Sequence, residues 1–342
     1  MKKRDSYFDN AKFFLIFFVV FGHLIQSYIQ HQDSIYALYK TIYVFHMPAF
    51  ILISGYFAKG FRKKGYTVNL IKKLLVPYII FQGVYALFYY YILNYQTIHL
   101  DPLDPQWSLW FLLSLFFWNL LLRPFSKFKP FIGLTIAFSL GIIVGYFDFI
   151  SNYLSLSRTF VFFPFFLLGF HLARDQMKVN TNIIMRSLSV MIFSTVFLFF
   201  YFNHEVDYQW LLGSKPYSEM EHVSYISALK RGYIYILSII TTFSFLILVP
   251  RKKYFFTSVG KYTLYVYLLH GFFVKTFRSS QLTELLPDVQ AIWLLAVVSL
   301  ILTFLLTNKI VLSFVQPFVE MQYTQLKHLL AQLKRMSYKL QR

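Results

Sequence analysis

Apolar runs recur along nearly the whole chain, broken by short stretches that carry Gly, Pro and charge. Most runs are close to the roughly 20 residues an α-helix needs to cross the hydrocarbon core of a bilayer. They lie at about 12–30, 40–58, 70–93, 108–122, 130–147, 159–173, 183–203, 230–249, 259–277 and 290–307. The pattern predicts an all-α integral membrane protein, a bundle of about ten transmembrane helices. The fourth and sixth runs are short, and Lys230 and Arg231 sit at the edge of the eighth. No internal repeat stands out. The expected organisation is one transmembrane domain over 1–317 and a basic amphipathic tail over 318–342. In that tail Leu326, Leu330, Leu333 and Leu340 fall near helical spacing among Lys327, Lys334, Arg335 and Lys339. Such a helix suits the inner leaflet surface or a partner protein equally.

Composition agrees with the pattern: 57% of residues are hydrophobic and 14% charged, against about 25% charged in soluble domains. The net charge of +19 does not point to nucleic acid, because the basic residues sit in short clusters between apolar runs. Orientation signals and anionic lipid headgroups account for them better. If the N-terminus is cytoplasmic and every run crosses, 26 of the 33 Lys and Arg fall inside, against 4 of the 14 Asp and Glu. That segregation supports ten crossings with both termini cytoplasmic. The first run follows a basic segment but has no small-residue cleavage site after it, so it is expected to remain as a membrane anchor. With no cysteine, thiolate chemistry and disulfides are excluded.

Ionisable groups inside apolar runs are costly and mark functional sites. On this topology His23, His46 and His270 all fall in the outer half of the membrane. Histidine titrates closest to neutrality and can take and return a proton. The alternative for each is an imidazole hydrogen-bonded to a neighbouring helix. No metal site is expected: there is no HExxH and no i,i+4 histidine pair on a helix. Ser54 lacks the preceding glycine of a nucleophile elbow, and neither a P-loop nor GxGxxG is present.

Several segments occur in a telling order. Lys12 and His23 share the first run, and "FHMPAFILISGYF" follows in the second. Then come "KKLLVPY", "WSLWFLLSLFF", Arg158 with "FVFFPFFLLGF", and "SVGKYTLYVYLLHGFF". Together they resemble the membrane acyltransferase-3 family, nearer its fucose 4-O-acetylase-like branch, over almost the whole chain. The resemblance implies transfer of an acyl group, usually acetyl from cytoplasmic acetyl-CoA, to a hydroxyl of a cell-surface or lipid-linked glycan. It also implies a bacterial plasma membrane location and partner proteins of glycan synthesis or export. The family's basic residue and essential histidine map onto Lys12 and His23, with Lys where Arg is usual; the two are not interchangeable at a bidentate site. No SGNH-type domain follows the last run, so acceptor transfer is expected from the bundle itself or from a partner.

Lys12 and His23 are eleven residues apart, about 16 Å along a helix. A basic inner mouth and a deeper histidine therefore fit one path. On this reading Lys12, Lys63, Lys72 and Lys73 meet the phosphates of acyl-CoA, and the pantetheine arm points toward His23. His23 is then a general base or, by a second route, a nucleophile carrying the acyl group. Arg158 is a candidate for stabilising the tetrahedral intermediate or holding the acceptor, with an interfacial snorkelling arginine as the alternative. His46 either positions the acceptor or satisfies carbonyls freed by Pro48. Trp107 and Trp110 belong to an aromatic belt or stack on sugar. His270 matches the family's late histidine, and Asp9 is placed to pair with Lys12. The rival function is an exporter of polysaccharide or lipid-linked sugar, which would favour inverted repeats and broken midplane helices.

Overall fold

The computed structural model describes residues 4–30, 32–150, 153–177, 182–280, 282 and 288–320. The predicted tail from residue 321 onward, with His31, lies outside them. Among the described residues the chain is helical and has no strand. The helices that carry the argument are α1 (Ser6–Ile25), α2 (Asp33–Tyr43), α3 (His46–Phe57), α4 (Tyr66–Tyr91), α5 (Trp110–Phe125) and α6 (Pro130–Ile143). They continue with α7 (Leu156–His171), α8 (Ile183–Phe202), α9 (Tyr225–Leu248), α10 (Thr263–Ser279), α11 (Asp288–Leu305) and α12 (Lys309–Val319).

Helix occupies each of the ten predicted segments, yet fewer are long and apolar enough to cross a bilayer. Among the described residues seven helices pass that test, or eight if the pair Ile292–Leu305 and Lys309–Val319, bent by 66°, counts as one span. The shortfall has physical causes. Pro130–Tyr146 is short, and α10 spends its length on His270, Lys275 and Arg278.

Prolines shape the segments around the site. Pro48 has no amide to donate to the carbonyl of Val44, and the helix breaks at Val44–Phe45, which separates α2 from α3. Pro77 likewise cannot donate to Lys73, and α4 takes up a π-turn over Ile71–Leu75 just before it.

Burial divides the bundle. In α1 and the α2–α3 segment, 72% of the apolar window is buried inside the protein, whereas in α8 only 17% is. The first helix is therefore the central pillar, and α8 offers most of its surface to lipid. Helices α3 and α7 touch backbone to backbone. A Cβ on Gly55 would strike the carbonyl of Phe166, and one on Gly169 would strike that of Leu52. In lipid, where hydrophobic burial does not drive helices together, such close approach of small residues supplies the contact.

Side-chain bonds tie the two ends of the bundle separately. At one end Tyr7 Oη donates to the carbonyls of Met177 and Leu246, both at 2.9 Å. There too Asn10 Nδ2 donates to Pro250 and Lys252, Arg174 pairs with Asp5, and Lys59 donates to Leu172. At the other end Lys40 donates to the carbonyls of Asn203 and Val206, and Arg278 reaches the carbonyl of His23. Residues expected on one side of the membrane thus gather at one end.

Candidate active site

Three separate elements meet at the second end. His23 lies in the last turn of α1, His270 in the middle of α10, and Trp107 on the 3-10 turn that enters α5. The indole of Trp107 packs on both imidazoles, with centroids 4.6 Å from His23 and 5.3 Å from His270. The two imidazoles stack at 5.6 Å with an interplanar angle of 26°. Gly271 permits this approach, since a Cβ there would meet the Trp107 ring and the Tyr85 hydroxyl.

Hydrogen bonds define what each ring can do. His270 is fully buried, and its Nδ1 lies 2.7 Å from the carbonyl of Tyr267 and 3.0 Å from that of Val266. A carbonyl only accepts, so Nδ1 carries the hydrogen and in neutral His270 the Nε2 nitrogen is a bare lone pair. That Nε2 is buried and has no hydrogen-bond partner among the described residues. His23 is half-buried, and its Nδ1 lies 3.0 Å from the Tyr43 hydroxyl. A hydroxyl can donate or accept, so His23 keeps a choice of tautomer that His270 lacks.

The other predicted residues stand at increasing remove. His46 packs edge-on against Tyr43 at 4.6 Å and donates from Nδ1 to the carbonyl of Ile42 at 2.8 Å, at the α2–α3 break. It thus satisfies a freed carbonyl while sitting one ring away from His23. The guanidinium of Arg158 lies over Trp110, 5.1 Å from its centroid. From this pair a chain of ring contacts runs through Phe111 and Tyr267 to His270. Lys12 lies near the other end of α1 and pairs with Asp9 at 2.9 Å, and Asp9 also binds Arg4 at 2.8 Å.

Lys63 lines a cavity of about 600 Å3 at that other end, together with Arg62, Lys64, Arg123 and Lys127. Among the described residues no carboxylate lines it. Arg123 donates to Thr67 Oγ1 at 2.6 Å and Arg62 to Ser126 Oγ at 3.3 Å, so hydroxyls orient the two guanidiniums and leave their charge uncompensated. Lys72 and Lys73 are exposed on the π-turn of α4, outside the cavity wall. Among the described residues no group of three or more His, Asp and Glu side chains is arranged to hold a metal ion.

These arrangements coincide with a family match. A family model described as an acyltransferase domain, that of acyltransferase-3, matches residues 5–308. The chain belongs to the acyltransferase-3 family. It is similar to nodulation protein NolL of Sinorhizobium fredii, 29% identical over 209 residues, which cover 56% of this chain and 54% of that protein. It is also similar to nodulation protein NolL of Mesorhizobium japonicum, 47% identical over 60 residues, covering 17% of this chain and 16% of that protein. The chain thus matches about half the length, or less, of these curated relatives. No solved structure matches it. The matched stretch contains every member of the histidine and tryptophan cluster, and a membrane acyltransferase is the reading that fold and family share.

Sequence reasoning missed Tyr43, Lys275 and Arg278. Arg278 donates from Nε to the carbonyl of His23 at 3.1 Å and from Nη2 to Gln26 Oε1 at 2.6 Å, closing the C-terminal end of α1. It is a positioning residue for His23. Lys275 Nζ lies 5.5 Å from the Trp107 centroid and 5.6 Å from that of Tyr89 and forms no ion pair among the described residues. A signal was present in the charges. The positive-inside pattern leaves seven Lys and Arg on the outer side, among them Arg158, Lys275 and Arg278.

Proposed function

We propose that this protein is a membrane O-acyltransferase that moves an acyl group, acetyl in the first instance, from a cytoplasmic acyl-CoA to a hydroxyl of a cell-surface or lipid-linked glycan. The observation that carries the reading is the meeting of His23, His270 and Trp107 from three separate elements in a chain of an acyltransferase family. The reading keeps both termini in the cytoplasm and ten crossings, which the charge segregation of the sequence supports.

The donor enters from the basic end. The cavity of Arg62, Lys63, Lys64, Arg123 and Lys127 suits a polyphosphate, since five cations with no carboxylate create a concentrated positive field. From Arg123 to Trp110, α5 rises about 20 Å, and the pantetheine arm runs along it toward the histidines. Lys12, held by Asp9, lines the way rather than meeting the phosphates first.

His23 acts as general base. With Nδ1–H donated to Tyr43, its Nε2 takes the proton of the acceptor hydroxyl as the oxygen attacks the thioester carbonyl. A C–O bond forms, the tetrahedral oxyanion collapses, the C–S bond breaks, and the imidazolium returns its proton to the CoA thiolate. Lys275 supplies the positive charge for the oxyanion in preference to Arg158, because it shares Trp107 with the histidines and is committed to no carboxylate.

One observation favours a second route. The carbonyl-pinned His270 keeps a bare Nε2 beside His23, so it could activate the hydroxyl while His23 carries the acyl group. Purified protein in liposomes, given labelled acetyl-CoA and a glycan acceptor, should release CoA, and His23→Ala should not. Label retained on the protein when acceptor is withheld would select the acyl-histidine route. No CoA release with any acceptor would remove the enzyme reading in favour of glycan export.

A further inference from the structure

A cavity of about 310 Å3 opens on the far end of the histidine cluster, and Trp107 belongs to both. Its wall includes Tyr89, Tyr95, Asp101, Asp104 and Lys275. Tyr89 and Tyr95 stack at 5.4 Å with an interplanar angle of 22°. The Tyr89 hydroxyl is buried and has no hydrogen-bond partner among the described residues, and the residue is 7% exposed. Asp104 forms no ion pair or side-chain hydrogen bond among the described residues, and it lines the cavity.

The wall is held in place before anything binds. Gln82, buried on α4, donates from Nε2 to the carbonyls of Asp101 at 2.6 Å and Asp104 at 2.7 Å. Its Oε1 accepts from the amide of Gln106 at 2.9 Å. Tyr78 Oη donates to the carbonyl of Pro102 at 2.6 Å. One amide side chain thus fixes three points of the loop that carries both aspartates. The loop ends at Trp107, whose φ of 40° lies in the left-handed region that side chains seldom adopt. Preorganisation of this kind removes the ordering cost that a mobile loop would charge against binding.

Resting on the acyltransferase reading above, we infer that this vestibule is the acceptor subsite and that it selects one uncharged sugar ring. Aromatic faces give a pyranose a stacking surface. The Asp104 carboxylate and the Asp101 oxygen not taken by the amide of Leu103 accept from its hydroxyls, and the buried Tyr89 hydroxyl gains a partner. The volume is at the lower end for small-molecule sites, room for a ring rather than a chain segment. Two carboxylates against one lysine disfavour an anionic sugar. The acceptor hydroxyl then lies past Trp107, next to the imidazoles.

The test measures binding and transfer separately on the full chain in liposomes, with methyl glucoside and methyl galactoside as neutral probes and their uronates as anionic ones. Wild type should bind the neutral glycosides, read by tryptophan fluorescence without donor, and bind the uronates at least about tenfold more weakly. Asp101→Asn with Asp104→Asn should raise the neutral Kd by about tenfold, the loss of roughly one charge-assisted hydrogen bond, and narrow the neutral-to-uronate ratio. Tyr89→Phe, which keeps the ring, should raise Kd by a smaller factor. Unchanged Kd values and ratio in these variants would overturn the subsite, as would equal binding of uronates by wild type. CoA release without glycoside binding would leave the enzyme and remove the subsite. Glycoside binding without CoA release would keep the subsite and remove the enzyme reading.

Discussion

The two ends of the bundle hold charge in opposite ways. At the basic end, guanidiniums rest on hydroxyls around an open cavity, with no carboxylate to neutralise them. At the histidine end, Arg278 is tied to a carbonyl and an amide, and the histidines are pinned or packed by aromatic rings. Uncompensated charge in an open cavity holds a polyanion and is sensitive to salt. Fixed geometry in a buried cluster orients a proton transfer and is not. On the function proposed above, affinity belongs to one end and chemistry to the other, and variants at each end should separate KM from kcat.

The largest effect is expected from the histidine end. His23→Ala and His270→Ala should each lower kcat by about 10²–10⁴-fold, the range of general acid–base catalysis, with acyl-CoA binding retained; full turnover in both would erase the distinction between the ends. Next, Arg62→Ala with Arg123→Ala should raise the acyl-CoA KM by about tenfold or more, the loss of two charge-assisted phosphate contacts at roughly 1 kcal/mol each. Raising the salt should mimic this in wild type by screening exposed charge. A fall in kcat at constant KM would contradict the division. Tyr43→Phe should cost about tenfold in kcat, because His23 then loses the hydroxyl partner that orients its ring, and an unchanged rate would show that the ring needs no such partner. Smallest, Lys72→Gln with Lys73→Gln should change the donor KM by less than about threefold, in line with exposed charges outside the cavity. An effect as large as that of the arginine pair would widen the donor site to the π-turn.

Sequence made the histidines legible because an imidazole in an apolar run has a depth as soon as the topology is counted. His23 and His270 could be placed at one level, and the structure stacks them. It could not show that Trp107 joins them, because a tryptophan at a helix entrance fits an aromatic belt equally well. Lys12 was legible as the partner of Asp9, three residues away on one helix, and its pairing explains why the open cavity collects Arg62 and Arg123 instead. Gln82 was silent: an amide in an apolar helix carries no periodic signal, and its three contacts lie in a loop some twenty residues on. The shortfall in long apolar helices has the same origin, since α10 breaks its hydropathy with the residues that build the site.

The bond between Arg278 and the carbonyl of His23 joins residues 255 positions apart. The helix that acts as pillar is made before the helix that closes it, and the guanidinium of Arg278 follows the carbonyl it caps by that whole interval. Until α10 is made His23 therefore has neither its stacked neighbour nor its cap, and no fragment that stops before α10 contains His270 or Arg278. Assembly runs against the order of the chain, and the slow step in making this protein should be the docking of α10 onto α1 rather than the formation of any single helix.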